Sequence, residues 1–211
     1  MELTGANMPE KAEIFEKIHQ DYLDRLAGAD WAAVARAVGG EPDGDGLVIP
    51  FFNRPYHVSG RDIVGPTGRR PHHAVSVVLS QYVLLRPAWP PRGDDWISYR
   101  DFKDASPYVG GFLDTAERPI ARDFRGRVRD LEAACLGLGG VVPEDEVACD
   151  LSLRLPALPR IPLWLIFHDA DEEFPAKCLL LFERRAGGYL DMECLAMIGG
   201  FLAADLKRTL R

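Results

Sequence analysis

The last third of the chain places the tightest limit on what it can fold into. Two uninterrupted apolar runs, LWLIFH (163–168) and AKCLLLF (176–182), stand one short loop apart. Apolar runs without polar alternation predict strands buried on both faces, so both belong at the centre of a sheet. LSLRL (151–155) alternates, as a half-buried strand does. Pro156, Pro159 and Pro162 mark a tight connection ahead of the second strand, and DADEEFP joins the second and third as a hairpin. The expected product is a meander over 151–182, packed against helices.

The helices announce themselves by spacing. A final helix over about 189–208 carries Leu195, Ile198, Leu202 and Leu206. Asp191 and Glu193 near its start and Lys207 and Arg208 at its end suit the helix dipole. Gly199-Gly200 in mid-helix costs ~1 kcal/mol per residue against Ala, which predicts close approach to a neighbour. A first helix runs from about Pro9 to Leu26, with Ile14, Ile18, Tyr22 and Leu26 as its stripe, Phe15 alongside, and Asn7 and Glu10 as an N-x-x-E capping pair. Asp30 caps a second, short helix that ends at Gly39-Gly40. A third, about 71–86, places Val75, Val78, Leu79 and Tyr82 inward, with Pro71 in its first turn. A fourth, about 118–135, has Ile120, Phe124, Val128, Leu131 and Cys135 as its stripe, with Pro119 in its first turn and GLGG (137–140) at its end.

Between these lie turns and strands. GEPDGDG (40–46) lacks the third ligand and terminal Glu of a calcium loop and reads as a plain turn. LVIPFFNRPYHVS (47–59) reads as a hairpin bent at Asn53-Arg54, with Pro50 and Pro55 marking an edge strand. GRDIVGPTGRRP (60–71) is glycine-rich but lacks the Lys-Ser/Thr pair of a phosphate loop. PAWPPRGDDW (87–96) is a rigid linker or surface loop. The expected fold class is α+β: one domain over 1–211, its mostly antiparallel sheet formed by the 47–59 hairpin and the 151–182 meander, packed with about five helices. The helical and hairpin part covers about 1–140, the meander and last helix about 141–211.

Composition narrows the function classes. The net charge is −7, from 25 basic and 32 acidic residues, with a pI near 5.3. Nucleic-acid domains are usually basic, with pI above ~9, so nucleic acid is not an expected partner. No apolar run approaches the ~18–20 residues of a membrane span, so a membrane is not expected either. The start, MELTGANMPEKAEIF, has neither a basic nor an apolar leader region, and the expected location is cytoplasmic. Cys135, Cys149, Cys178 and Cys194 form no C-x-x-C pair and read as small buried hydrophobes.

The run HDADEEFPAKCLLLFERRAGGYLDMECLAMIGGFL (168–202) resembles the bacterial and archaeal family named domain of unknown function 3786. LSQYVLL (79–85) with WISYRDF (96–102), and FFN near residue 52, extend the resemblance over most of the chain, and DEEFPA…LF…YL…E is its most specific part. The resemblance implies a compact domain found mainly in anaerobes. Some relatives are joined to iron–sulfur cluster domains of the kind seen in corrinoid proteins, which associates the family with cofactor or one-carbon metabolism. This chain lacks cluster cysteines, so an iron–sulfur or corrinoid protein would be a partner. The family supplies no catalytic residues, and no cofactor is singled out.

Four features carry functional expectations. Arg69, Arg70 and His72 crowd a helix start, where the dipole favours negative charge, and this conflict predicts a compensating anion, either a ligand or an internal acid. Trp96 and Tyr99, with Trp89, Phe102 and Tyr108, would wall a pocket for a flat ligand or pin a loop. Arg118, Arg122, Arg125 and Arg129, spaced 4, 3 and 4 apart, form one helix flank that is either solvated, paired internally or turned to an acidic partner. His168, Asp169, Asp171, Glu172 and Glu173 crowd one hairpin tip, as a divalent-metal site or as a solvated turn. No G-x-S-x-G or H-E-x-x-H occurs. The leading expectation is a non-catalytic module that binds an anionic small molecule, cofactor or protein partner, with Arg69, Arg70, His72, Trp96 and Tyr99 gathered in one cleft. The alternatives are a metal-dependent enzyme built on His168–Glu173 and a structural subunit of a redox assembly.

Overall fold

The computed structural model describes residues 8–210 of the 211, with side chains from residue 13 onward. The Asn7–Glu10 capping pair lies outside the described residues. Helices α1 (Met8–Leu26) and α2 (Trp31–Val38) come first. Asp30 caps α2 by accepting the Ala33 N–H at 3.0 Å, and Gly39 closes it with a left-handed φ of 80°. In α1 the buried residues are His19, Leu23 and Leu26, while Ile14 and Phe15 of the expected stripe are exposed, because only the C-terminal half of the helix is covered.

The first sheet is antiparallel, in the order β1 (Glu41–Asp43), β2 (Gly46–Phe51), β3 (Arg54–Ser59), β4 (Ile63–Val64). The GEPDGDG stretch, expected to be a plain turn, turns only at Gly44-Asp45: Glu41–Asp43 pair with Gly46–Val48 as an edge strand. The β2–β3 bend falls at Phe52-Asn53, one residue earlier than expected, with φ of 47° and 60°. Such values match a tight hairpin but cost a non-glycine residue on the order of 1–3 kcal/mol. Two contacts hold Phe52 there: its side chain is buried, and its N–H donates to the Ala157 carbonyl at 3.0 Å. Pro50 faces Pro55 in the β2–β3 pairing, beyond the registers of β1 and β4, so neither missing N–H interrupts an outer ladder.

Helix α3 (His73–Leu84) buries Val75, Val78, Leu79 and Tyr82, as its spacing predicts. It begins two residues past Pro71, because His72 is the cap. The second sheet is antiparallel, in the order β5 (Trp96–Ser98), β8 (Lys177–Glu183), β7 (Ile161–His168), β6 (Leu151–Leu158). β7 and β8 occupy the predicted central positions. The register of β6 on β7 shifts between Pro156 and Leu158, at the residue whose carbonyl receives Phe52.

One face of this sheet, including Leu153, Leu163, Leu165, Leu180 and Phe182, is fully buried. The opposite face is covered less than the apolar runs predict. Leu179, Leu181 and Trp96 stay partly exposed, and the Arg154 guanidinium lies 5.1 and 5.0 Å from the Trp96 and Trp164 rings. An aromatic–cation stack shields those rings without a further layer of structure.

The helix expected over 118–135 is two. One rod runs through α4 (Val109–Phe112), a π turn over Leu113–Glu117 and α5 (Arg118–Asp123). In the π turn, the Arg118 N–H donates to the Leu113 carbonyl five residues back. That widening accommodates Pro119, which has no N–H to donate and whose ring crowds a regular turn. Gly126, at φ 70°, then redirects the chain into α6 (Val128–Gly137). The last helix, α7 (Met192–Arg208), is capped by Asp191, which accepts the Cys194 N–H at 2.8 Å. Gly199 meets Phe112 so closely that an added Cβ would lie 2.5 Å from that ring, which is the predicted close approach. Among the described residues, no helix is long and apolar enough to cross a membrane.

Candidate functional site

The loop from Gly65 to His72 folds back on itself before α3. The Gly65 N–H donates to the Arg69 carbonyl at 2.8 Å, and Gly68 turns the chain at φ 71°. His72 caps α3 through Nδ1, which accepts the Ala74 N–H at 3.3 Å. With Nδ1 as acceptor, the neutral imidazole carries its proton on Nε2. Arg69, Arg70 and His72 all line a cleft of about 600 Å³, the size range of small-molecule sites.

The other side of this cleft comes from β3 and α7. Arg54 Nη1 donates to Asp205 Oδ2 at 3.0 Å, and Arg208 Nη1 donates to Asp205 Oδ1. Asp205 is buried and the two guanidiniums are partly exposed. Its carboxylate lies in the last turns of α7, where the dipole disfavours an acid, and the two arginines offset that conflict. The floor is aromatic. Phe51 meets Phe201 edge-on at 5.7 Å and Tyr56 at 6.1 Å. Burial pushes the Tyr56 phenol above its ordinary pKa, with Arg54 opposing and Asp205 reinforcing the rise, so it stays neutral.

The ion pairs divide the arginines. Arg70 Nη1 donates to Glu16 at 2.7 Å, and its Nε lies 3.6 Å from Asp62. Arg54 and Arg208 share Asp205. Arg69 has no acidic partner among the described residues. A cationic cleft thus opens in a chain whose net charge is −7.

The aromatic residues expected to share this pocket are elsewhere. Trp96 pairs with Glu183 in the β5–β8 ladder and meets the Trp164 ring edge-on at 5.4 Å. Tyr99 is buried, stacks on Phe112 at 4.4 Å and donates its hydroxyl to the Met192 carbonyl at 2.6 Å. Pairing with the edge of β8 draws this segment into the second sheet, where the two rings pin a long loop.

The arginine flank is broken by the Gly126 bend. Arg118 donates to Asp114 and Arg122 to Asp123, while Arg125 lies in the bend and Arg129 on α6. No continuous stripe joins the four. At the β7–β8 hairpin, His168, Asp169 and Asp171 border a hollow of about 520 Å³ with Asp150, Phe174 and Lys177. Its carboxylates serve the chain itself. Asp171 accepts the Glu173 and Phe174 N–H groups at 2.8 and 2.7 Å, and those bonds hold its carboxyl below the usual pKa. Asp169 accepts the Gly126 and Ala170 N–H groups, both at 2.8 Å. Glu172 and Glu173 do not border the hollow. Among the described residues, no three His, Cys, Asp or Glu side chains gather closely enough to hold a metal ion.

The cysteines are poor nucleophiles. Burial pushes the Cys135 thiol up to about 12 and raises Cys149, Cys178 and Cys194. Sequence reasoning missed Phe51, Arg54, Tyr56, Phe201, Asp205 and Arg208. One signal was present: Asp205 sits near the end of a helix, where an acid is out of place unless a cation meets it. No curated protein and no solved structure matches the chain. The family model described as Domain of unknown function (DUF3786) matches residues 30–205. The run 168–202, which holds the DEEFPA hairpin, β8 and Gly199-Gly200, falls inside that match, and the chain belongs to this family.

Proposed function

We propose that the chain is a non-catalytic binding module for a small organic anion, held in the cleft between the Gly65–His72 loop and α7. Arg69 carries the reading. It has no acidic partner among the described residues, yet lines the cleft beside the positive end of a twelve-residue helix. Arg69 is exposed at the rim of the cleft, where its fork of N–H donors is free to take a carboxylate or phosphate in a bidentate, charge-assisted pair.

The lining also supports binding over chemistry. It includes no cysteine, serine or glutamate, and its single aspartate is held by two arginines. A pair of free carboxylates for acid–base work is absent from the cleft. Titration calorimetry with benzoate and with inorganic pyrophosphate tests the proposal. The wild type binds at least one of them with a Kd at or below ~1 mM, and Arg69→Ala weakens that binding about tenfold. Equal binding by the two proteins, or binding by neither, overturns it.

A further inference from the structure

We infer that the ligand is a flat organic dianion whose two acidic groups sit at opposite ends of an apolar body. This deepens the anion-binding reading and rests on it. The argument starts from where the uncompensated charge lies. Arg70 contributes none, because Glu16 matches it at 2.7 Å; the second acid near it, Asp62, accepts the Ile63 N–H and, like Glu16, does not line the cleft. Arg69 contributes one positive charge at the loop. Arg54 and Arg208 share a single carboxylate, which leaves one further positive charge at the β3–α7 wall.

Rings line the floor between the two walls. Tyr56 lies directly under the loop, where an added Cβ on Gly65 would come 3.4 Å from its ring. Tyr56 meets Phe51 at 6.1 Å, and Phe51 meets Phe201, on α7, at 5.7 Å. The aromatic floor therefore touches the Arg69 loop at Tyr56, two residues from Arg54 on β3, and reaches α7 at Phe201, so it borders both walls of the cleft. Such a floor takes a planar ring by stacking or edge contact, while guanidiniums take carboxylate or phosphate oxygens in pairs. An anion with all its charge at one end would leave the far cation unmatched. An aliphatic dianion would match both cations but give the rings little to stack on.

Three probes separate these cases by calorimetry: terephthalate, with a ring and a carboxylate at each end; benzoate, with the ring and one carboxylate; and adipate, with two carboxylates and no ring. Terephthalate is expected to bind about tenfold tighter than either of the others. In Arg69→Ala, and separately in Arg208→Ala, terephthalate should fall to the wild-type affinity for benzoate. Arg208→Ala keeps Asp205 paired with Arg54, so it removes the charge surplus of that wall without stranding the acid. Both side chains are exposed at the surface, and an unchanged thermal midpoint confirms that each variant is folded. Equal affinity for benzoate and terephthalate, with Arg69 still required, overturns the dianion and leaves the anion-binding reading in place. Adipate binding as tightly as terephthalate overturns the requirement for a flat body. Absence of any Arg69-dependent binding overturns both readings together.

Discussion

Arg54 and Asp205 lie 151 positions apart in the chain and meet at 3.0 Å. That bond fastens the β2–β3 hairpin to the end of α7, and the same carboxylate holds Arg208. Asp205 therefore sets both the attachment of the last helix and the charge of one wall of the cleft. Asp205→Asn keeps the shape of the side chain and removes its charge. The expected result is a loss of about 2 kcal/mol in urea denaturation, since two guanidiniums lose their counter-charge. Affinity for benzoate should rise at the same time, because the wall gains a positive charge. A variant that is less stable and also binds benzoate more weakly would contradict this account of the wall.

The neighbouring glycines of α7 should respond in opposite directions. A Cβ on Gly199 would lie 2.5 Å from Phe112 and 3.0 Å from Ala116, whereas one on Gly200 finds its nearest neighbour, Thr115, at 3.7 Å. Gly199→Ala is expected to cost roughly 1–3 kcal/mol by overpacking. Gly200→Ala should gain about 0.5–1 kcal/mol, because alanine loses less backbone entropy in a helix. Chemical denaturation of the two variants checks the contrast, and two effects of the same sign would refute the packing described.

Tyr82 joins three parts of the fold through one hydroxyl. It donates to the Val38 carbonyl at 2.7 Å and accepts the Arg160 N–H at 3.0 Å, from a fully buried position. Tyr82→Phe leaves both backbone groups without a partner, at an expected cost of about 2 kcal/mol. A change below ~0.5 kcal/mol in the unfolding free energy would mean that water replaces the hydroxyl at no loss.

Glu117, in the π turn, predicts a pH dependence. Its Oε1 accepts the Leu180 N–H at 3.0 Å, just beyond the point where β5 ends opposite Leu181. Burial raises its pKa, against the opposing pull of that hydrogen bond and of Arg100 and Lys177. The folded value thus lies above the unfolded one, so the folded state holds the proton longer. Its contribution to stability is complete below the ordinary glutamate value of about 4.3 and is lost as pH rises through the folded value. Glu117→Gln cannot ionise and should gain stability relative to wild type as pH rises from about 4 to about 8. A difference that stays constant over that range, or that favours wild type at high pH, would contradict the assignment.

Much of the frame was readable from local pattern, because local pattern dictates it. The β6–β8 meander follows from three strand-like segments joined by short connections, and the Asp30 cap from a side chain that satisfies a helix N–H; Asp191 was legible only as an acid suited to the dipole, and the structure makes it the cap. What escaped depends on distant partners or on backbone irregularity. The three residues of β5 become a strand only because the edge of β8 accepts them. The break at Phe124–Arg127 needs Gly126 in a left-handed conformation, which an apolar stripe running through both helices conceals. The candidate site divides in the same way. The conflict of charge at the start of α3 is local and visible, so Arg69, Arg70 and His72 stood out. Phe51, Tyr56 and Phe201 read as ordinary core residues of a hairpin and a helix, and only the packing of the first sheet against α7 sets them side by side.

Backbone-amide chemical-shift mapping during a titration with benzoate tests most directly whether this cleft is where an anion binds. Saturable shifts concentrated at Gly65, Gly68, Arg69, Ala74 and Phe201, and missing in Arg69→Ala, are the predicted result. Shifts concentrated at the His168–Lys177 hairpin, or the same shifts in wild type and Arg69→Ala, would contradict it.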